Sequence, residues 1–184
     1  MAGRTVFITG GARSGKSAYA ESLYAAKSDV IYLATARVTD DEMRERVERH
    51  KRSRPSGWRT IEQTYDLHTV CEAEGGSSSV LLDCVSILTS NIMLDLMKEC
   101  ERIPPALQHK VEQIVIAEIE KLLHAVKEKN GSLVMVTNEV GDSIVPENHL
   151  ARVYRDILGR VNQHIAALCD EVYLVTCGIP LKLK

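Results

Sequence analysis

The sequence predicts an α/β protein whose mainly parallel sheet is covered by helices on both faces, and two observations carry that expectation. Short, near-continuous apolar runs recur along the chain, and segments with helical spacing separate them. Strands buried on both faces read as unbroken apolar runs, whereas a strand with one wet face would alternate.

The first run, Thr5-Val6-Phe7-Ile8-Thr9, is β-branched and aromatic and closes at Gly10-Gly11, so it reads as a buried strand. Residues 16–26 read as a helix, and Val30 to Thr35 as a second strand. A highly charged stretch, 40–54, opens on Thr39-Asp40-Asp41-Glu42, a capping box, and Pro55 marks its end. Residues 60–63 read as a short extended piece, 66–74 as a helix, 75–78 as a loop, and Val80-Leu81-Leu82-Asp83 as another buried strand. A helix is expected over 87–100, and Pro104-Pro105 interrupts it. Val111, Ile114, Val115, Leu122 and Val126 then mark a further helix, ended by Gly131. Residues 133–137 form a strand, Leu150, Val153, Ile157, Val161, Ile165 and Leu168 one helical stripe, and 172–175 the last clear strand. No internal repeat is present.

Composition narrows the class of function. The 184 residues fit one domain, 1–184, and 45% hydrophobic with 26% charged residues is ordinary for a globular chain. A net charge of −2 supplies no global basic field, which disfavours nucleic acid as a partner. Five cysteines, with no C-x-x-C pair, suggest neither a disulfide framework nor a zinc site and fit a reducing cytoplasm. No apolar stretch is long enough to span a membrane.

The chemistry concentrates after the first strand. Gly10-Gly11-Ala12-Arg13-Ser14-Gly15-Lys16-Ser17 satisfies G-x-x-x-x-G-K-[ST], set between a strand and a helix. Glycines let the backbone curl with its amides inward, Lys16 places a point charge near the β and γ phosphates, and Ser17 can ligate magnesium. The loop is built for a polyphosphate such as ATP or GTP, and the expected architecture is therefore a three-layer fold of the P-loop NTPase kind. Asp83, at the end of an apolar strand, is the natural partner to hold Mg2+ through water.

In the charged stretch, helical spacing puts Met43, Val47 and His50 on one stripe. Pairs such as Glu42 with Arg46 fall four apart and support a solvated helix. His50 on its own reads first as a packed or surface histidine; the functional alternative is a nucleophile, since a neutral imidazole can attack phosphorus at cytoplasmic pH. Lys51, Arg52 and Arg54 follow it and could neutralise phosphate charge.

Taken together these residues resemble the bifunctional adenosylcobinamide kinase and adenosylcobinamide-phosphate guanylyltransferase family of cobalamin synthesis, over almost the whole chain. Besides the loop, the matches are Ala34-Thr35-Ala36, Asp41-Glu42-Met43, His50 with Arg54-Pro55 and Trp58, Asn138-Glu139-Val140-Gly141, Ile144-Val145-Pro146, Arg155-Asp156 with Gly159, Asn162-Gln163, and Gly178-Ile179-Pro180. The resemblance implies two reactions on a corrinoid. A nucleoside triphosphate phosphorylates the aminopropanol hydroxyl of adenosylcobinamide; GTP then guanylylates a histidine, matched here by His50, and the substrate phosphate takes the GMP. It further implies guanine-nucleotide contacts at Ala34, Thr35, Ala36, Lys51, Arg52, Ser53, Arg54, Glu62 and Asp83, and a homo-oligomer, trimeric in family members. Two segments depart from the family: Asp142-Ser143 stands where a glycine is usual, and 85–91 lacks a tryptophan often found there. The competing expectations are a P-loop small-molecule kinase without guanylylation and a regulatory NTPase switch.

Overall fold

A computed structural model describes residues 3–37, 55, 57–72, 79–97 and 102–184. The capping box at Thr39, the stripe of Met43 and Val47, His50, and the loop at 75–78 lie outside the described residues. The chain runs β1 (Thr5–Thr9), α1 (Lys16–Ser22), β2 (Ile31–Ala34), β3 (Arg59–Glu62), a 3₁₀ turn (Leu67–Cys71), β4 (Ser79–Asp83), α2 (Val85–Leu96), α3 (Pro105–Glu128), β5 (Ser132–Val136), α4 (His149–Leu168), β6 (Glu171–Thr176) and β7 (Ile179–Lys182).

The seven strands form one sheet in the order β3-β2-β4-β5-β1-β6-β7. Every neighbouring pair is parallel except β6 with β7. The expected mixed α/β architecture with a mostly parallel sheet is therefore what the chain adopts. Alternate residues of each strand feed opposite faces. Phe7, Leu33, Leu82 and Met135 join the cluster under the 3₁₀ turn, α2, α3 and α4, whereas Val6, Ile8, Tyr32, Leu81 and Val134 pack with Ala20 of α1, with Tyr24 just beyond it and with Trp58. On that second face the Tyr24 hydroxyl donates to Ser132 Oγ at 3.0 Å, and Trp58 Nε1 donates to the Lys27 carbonyl at 3.0 Å. Both polar tips are thus satisfied inside apolar surroundings.

Four elements differ from the sequence expectation. The helix expected over 16–26 ends at Ser22, because the next amides turn to carbonyls three residues back: Tyr24 to Glu21 at 3.0 Å and Ala25 to Ser22 at 3.2 Å. The helix expected over 66–74 is a five-residue 3₁₀ turn. Asp66 enters it with φ +54, and its first amide, Leu67 N–H, is taken by the buried Glu118 carboxylate at 3.0 Å. In α3, Pro105 occupies the first turn, where its missing N–H costs nothing, and Asn130 rather than Gly131 takes the left-handed position after the end. Finally, β7 was not expected. Its four residues are exposed and include Pro180, a composition compatible with an edge strand, and its Ile179 and Leu181 face solvent rather than the core.

One ion pair ties the start of the chain to β6. Arg4 donates to the Glu171 carboxylate, which also accepts from the Tyr173 hydroxyl at 2.6 Å. First the Arg4 hydrogen bond and then that of Tyr173 pull the Glu171 pKa down to about 2 from 4.5. A carboxylate lowered by folding stabilises the native state fully above its unfolded value, and that contribution is lost as pH falls through the folded value. Urea midpoints of the wild type should therefore fall between about pH 4.5 and 2 more steeply than those of Glu171→Gln. In the core, Ile119 is fully buried on α3, so Ile119→Ala should destabilise the fold by about 2–5 kcal/mol in urea denaturation.

Candidate functional site

The chain leaves β1 at Gly10, turns through residues 10–15 and enters α1 at Lys16. Close approach dictates both motif glycines. A Cβ on Gly10 would lie 2.4 Å from the Val175 carbonyl oxygen, and one on Gly15, where φ is +97, would lie 3.0 Å from Gly178 Cα. Gly11 meets nothing within 4 Å, so space does not demand glycine there. The loop is pinned on both flanks: Glu139 N–H donates to the Gly10 carbonyl at 3.0 Å, and Gly178 N–H to the Ser14 carbonyl at 2.8 Å. Within it, the buried Lys16 ammonium donates to the Gly11 carbonyl at 2.9 Å, drawing the loop into a curl. Gly15, at the N-cap, offers α1 no side chain, which leaves its first amides open to a ligand. Among the described residues, the buried Ser14 Oγ and Thr9 Oγ1 have no hydrogen-bond partner, which leaves two hydroxyls at the loop with capacity to spare. Ala12 and Arg13 form the exposed crest, with Arg13 at φ +57.

Parallel register brings the second part of the site alongside. Ile8 stands beside Val136, Val136 beside Asp83, Asp83 beside Ala34, and Ala34 beside Glu62, one row across five strands at their C-terminal ends. Asp83 accepts a hydrogen bond from the Tyr32 hydroxyl, and the Asp83–Cys84 peptide is cis. Beyond the row, buried polar groups replace the strand ladder. Cys84 N–H donates to Thr35 Oγ1 at 3.0 Å, Thr35 Oγ1 donates to the Cys84 carbonyl at 2.8 Å, and Asn91 Nδ2 donates to the Thr35 carbonyl at 2.7 Å. Asn138 Nδ2 donates to Ser86 Oγ at 3.0 Å, and Tyr154 donates to the Ser86 carbonyl at 3.0 Å. Asn162 accepts from Thr137 Oγ1 at 2.9 Å and donates to the Asn138 carbonyl at 3.3 Å.

Burial, followed by the neighbouring Asp83, pushes the Cys84 thiol up to about 11, against weaker opposing pulls that include the Lys16 charge. Cys84 is thus a neutral packing group, and both Lys16 and Asp83 make their charge felt at it. Both charged residues therefore lie near enough to Cys84, at the end of β4, to act on its thiol.

The donors present suit a hard cation. Ser17 offers a half-buried hydroxyl on the first turn of α1 and Asp83 a single carboxylate, and no cluster of three or more His, Cys, Asp or Glu occurs among the described residues. A hydroxyl, one carboxylate and the oxygens of a bound polyphosphate match magnesium, which keeps several waters and uses few protein ligands. Of the other expected contacts, Ala34, Thr35 and Ala36 lie at and beyond the end of β2, with Thr35 buried in the polar network. Glu62 is exposed at the end of β3. His50, Lys51, Arg52, Ser53 and Arg54 lie outside the described residues. Sequence reading gave no part to Ser86, Tyr154 or Tyr32, since a serine or tyrosine near an apolar run carries no spacing signal. The asparagines it quoted as motif residues acquire their task only from these contacts.

Known proteins resemble the chain along nearly its whole length. The sequence pattern of the family described as cobinamide kinase / cobinamide phosphate guanyltransferase matches residues 6–183. The chain is 44% identical over 181 residues to the bifunctional adenosylcobalamin biosynthesis protein CobU of Escherichia coli K12, covering 97% of this chain and 99% of that protein. Its identity to CobU of Salmonella typhimurium LT2 is 43% with the same coverage. It is 37% identical to the bifunctional protein CobP of Pseudomonas aeruginosa PAO1, over 96% of this chain and 95% of the relative. A match over nearly every residue, with the phosphate loop and the Asn138, Asn162 and Gly178 segments all in place, leaves one conclusion: the chain belongs to the cobinamide kinase / cobinamide phosphate guanyltransferase family.

Proposed function

We propose that this chain is one catalytic domain of the P-loop NTPase type that carries out both family reactions. It phosphorylates the aminopropanol hydroxyl of adenosylcobinamide with ATP or GTP, then transfers GMP from GTP through His50 to give adenosylcobinamide-GDP. The observation that carries this reading is the pinned phosphate loop, which leaves β1 at the same edge of the sheet as Asp83 on β4, in a chain of this family.

The two reactions attack different phosphorus atoms. In the kinase step the substrate hydroxyl oxygen bonds to the γ phosphorus, the bond to the nucleoside diphosphate breaks, and the hydroxyl proton is lost. In the guanylyl step a His50 ring nitrogen bonds to the α phosphorus and pyrophosphate leaves. The substrate phosphate oxygen then displaces that nitrogen and carries away the GMP. Lys16 serves both, because a buried ammonium stabilises charge on phosphoryl oxygens whichever phosphorus reacts. Magnesium, held by Ser17 and Asp83, would neutralise polyphosphate charge. Lys51, Arg52, Ser53 and Arg54, next to His50 in sequence, and Ala34, Thr35, Ala36 and Glu62, at the C-terminal ends of β2 and β3, would contact the guanine nucleotide. The working protein is a homo-oligomer, a trimer by resemblance, and acts in the cytoplasm; among the described residues no helix is long and apolar enough to cross a membrane.

Incubated with α-labelled GTP and magnesium, the protein should retain acid-labile, alkali-stable label. His50→Ala should retain none yet still convert adenosylcobinamide to its phosphate; equal labelling of both proteins would remove His50 from the mechanism. Lys16→Ala should slow both reactions by about 10²-fold or more, and guanylylation at the wild-type rate would refute a shared loop.

A further inference from the structure

The end of β6 and the turn that follows it, at Cys177-Gly178, approach the phosphate loop through main-chain atoms. Gly178 N–H donates to the Ser14 carbonyl at 2.8 Å, a Cβ on Gly15 would meet Gly178 Cα at 3.0 Å, and a Cβ on Gly10 would meet the Val175 carbonyl at 2.4 Å. We infer that this turn, through the Gly178 amide, is a positioning element for the phosphate loop, so that the C-terminal hairpin sets how tightly the site holds a nucleotide. The inference rests on the reading of that loop as the nucleotide site.

The physical reason lies in one peptide plane. The Ser14 carbonyl and the Gly15 N–H belong to the same peptide unit and point in opposite directions. Fixing the oxygen on Gly178 therefore fixes the Gly15 N–H, one of the loop amides available to phosphate, away from the hairpin. Without that anchor the unit can rotate, turning a carbonyl dipole toward the anion instead of an amide. The Glu139 N–H does the same on the other flank, holding the Gly10 carbonyl and with it the Gly11 N–H.

The hairpin is poorly suited to a purely stabilising role. Cys177, Gly178 and all four residues of β7 are exposed, so the turn buries little apolar surface. What it offers the rest of the chain is a donor at a defined point. Its geometry also explains the residue at 178. Cys177 and Gly178 have φ of +51 and +78, the pair of positive values a two-residue hairpin turn of the primed type requires, and the space beside Gly178 is open. Glycine is there for backbone conformation, not for lack of room.

The test removes the donor without touching the fold of the turn. Ligation at Cys177 allows the full chain to be assembled with the Gly178 amide replaced by an ester, which keeps the left-handed conformation and loses the N–H. GTP dissociation constants are then measured for the wild type, the ester form and Gly178→Asn, which retains the N–H and tolerates positive φ. The ester form should bind GTP about three- to tenfold more weakly, while Gly178→Asn stays within about twofold of the wild type. A folded ester form that binds within about twofold of the wild type would overturn the inference, even if its melting temperature falls. Equal weakening of the ester and asparagine forms would overturn it as well. Wild-type protein that fails to bind GTP would instead overturn the reading of the loop itself, and this inference with it.

Discussion

The double pairing of β1 is the constraint on which the rest of the structure depends. β5 lies on one side and β6 on the other, both parallel, so β1 has no free edge and its residues are buried on both faces. Parallel neighbours end together. The chain therefore leaves β1 at the same level as β4 and β5, and the loops that follow share one edge of the sheet. The phosphate loop, Asp83, Thr35 and Asn138 meet there although more than a hundred residues separate the first from the last.

That edge carries a physical difficulty, which the polar network answers. Where the strands stop, their last amides and carbonyls lose the ladder while still buried, and an unpaired buried group is costly. The side chains of Thr35, Asn91 and Asn162 supply main-chain partners there, and Asn138 and Ser86 pair with each other. Each side chain is held by at least one main-chain or side-chain contact, so the floor beneath the phosphate loop is hydrogen-bonded throughout these residues. Cys84 belongs to that floor, and its burial keeps the thiol neutral.

Much of the fold was legible in order along the chain. The central strands were read to within a residue or two because a strand buried on both faces must be apolar throughout, and α3 and α4 because a long stripe of period 3.6 admits few alternatives. The misses have a common cause. At 66–71 the choice of a 3₁₀ turn over an α-helix depends on Glu118 from α3, and the early end of α1 goes with Tyr24 reaching Ser132 on β5. β7 buries none of its side chains, so its main chain pairs it to β6 with no core-facing apolar run to mark it.

For the site the division is sharper. A contiguous motif defines the phosphate loop, because amides that cradle one anion must be neighbours in sequence, and that motif with its flanking strand and helix was complete in the residues themselves. The sequence alone also determined the family, through ordered matches from Gly10 to Pro180. It assigned Gly10 and Gly15 to a curling backbone. Only the folded chain shows what also excludes a side chain there, the Val175 carbonyl and Gly178. Tertiary structure alone likewise decided that Asp83 stands one strand away from β1, that Asn138 serves Ser86, and that the Ser14 carbonyl is held from the far end of the chain. Such contacts join residues through space, and a hydrogen bond between distant segments leaves no periodicity in either one.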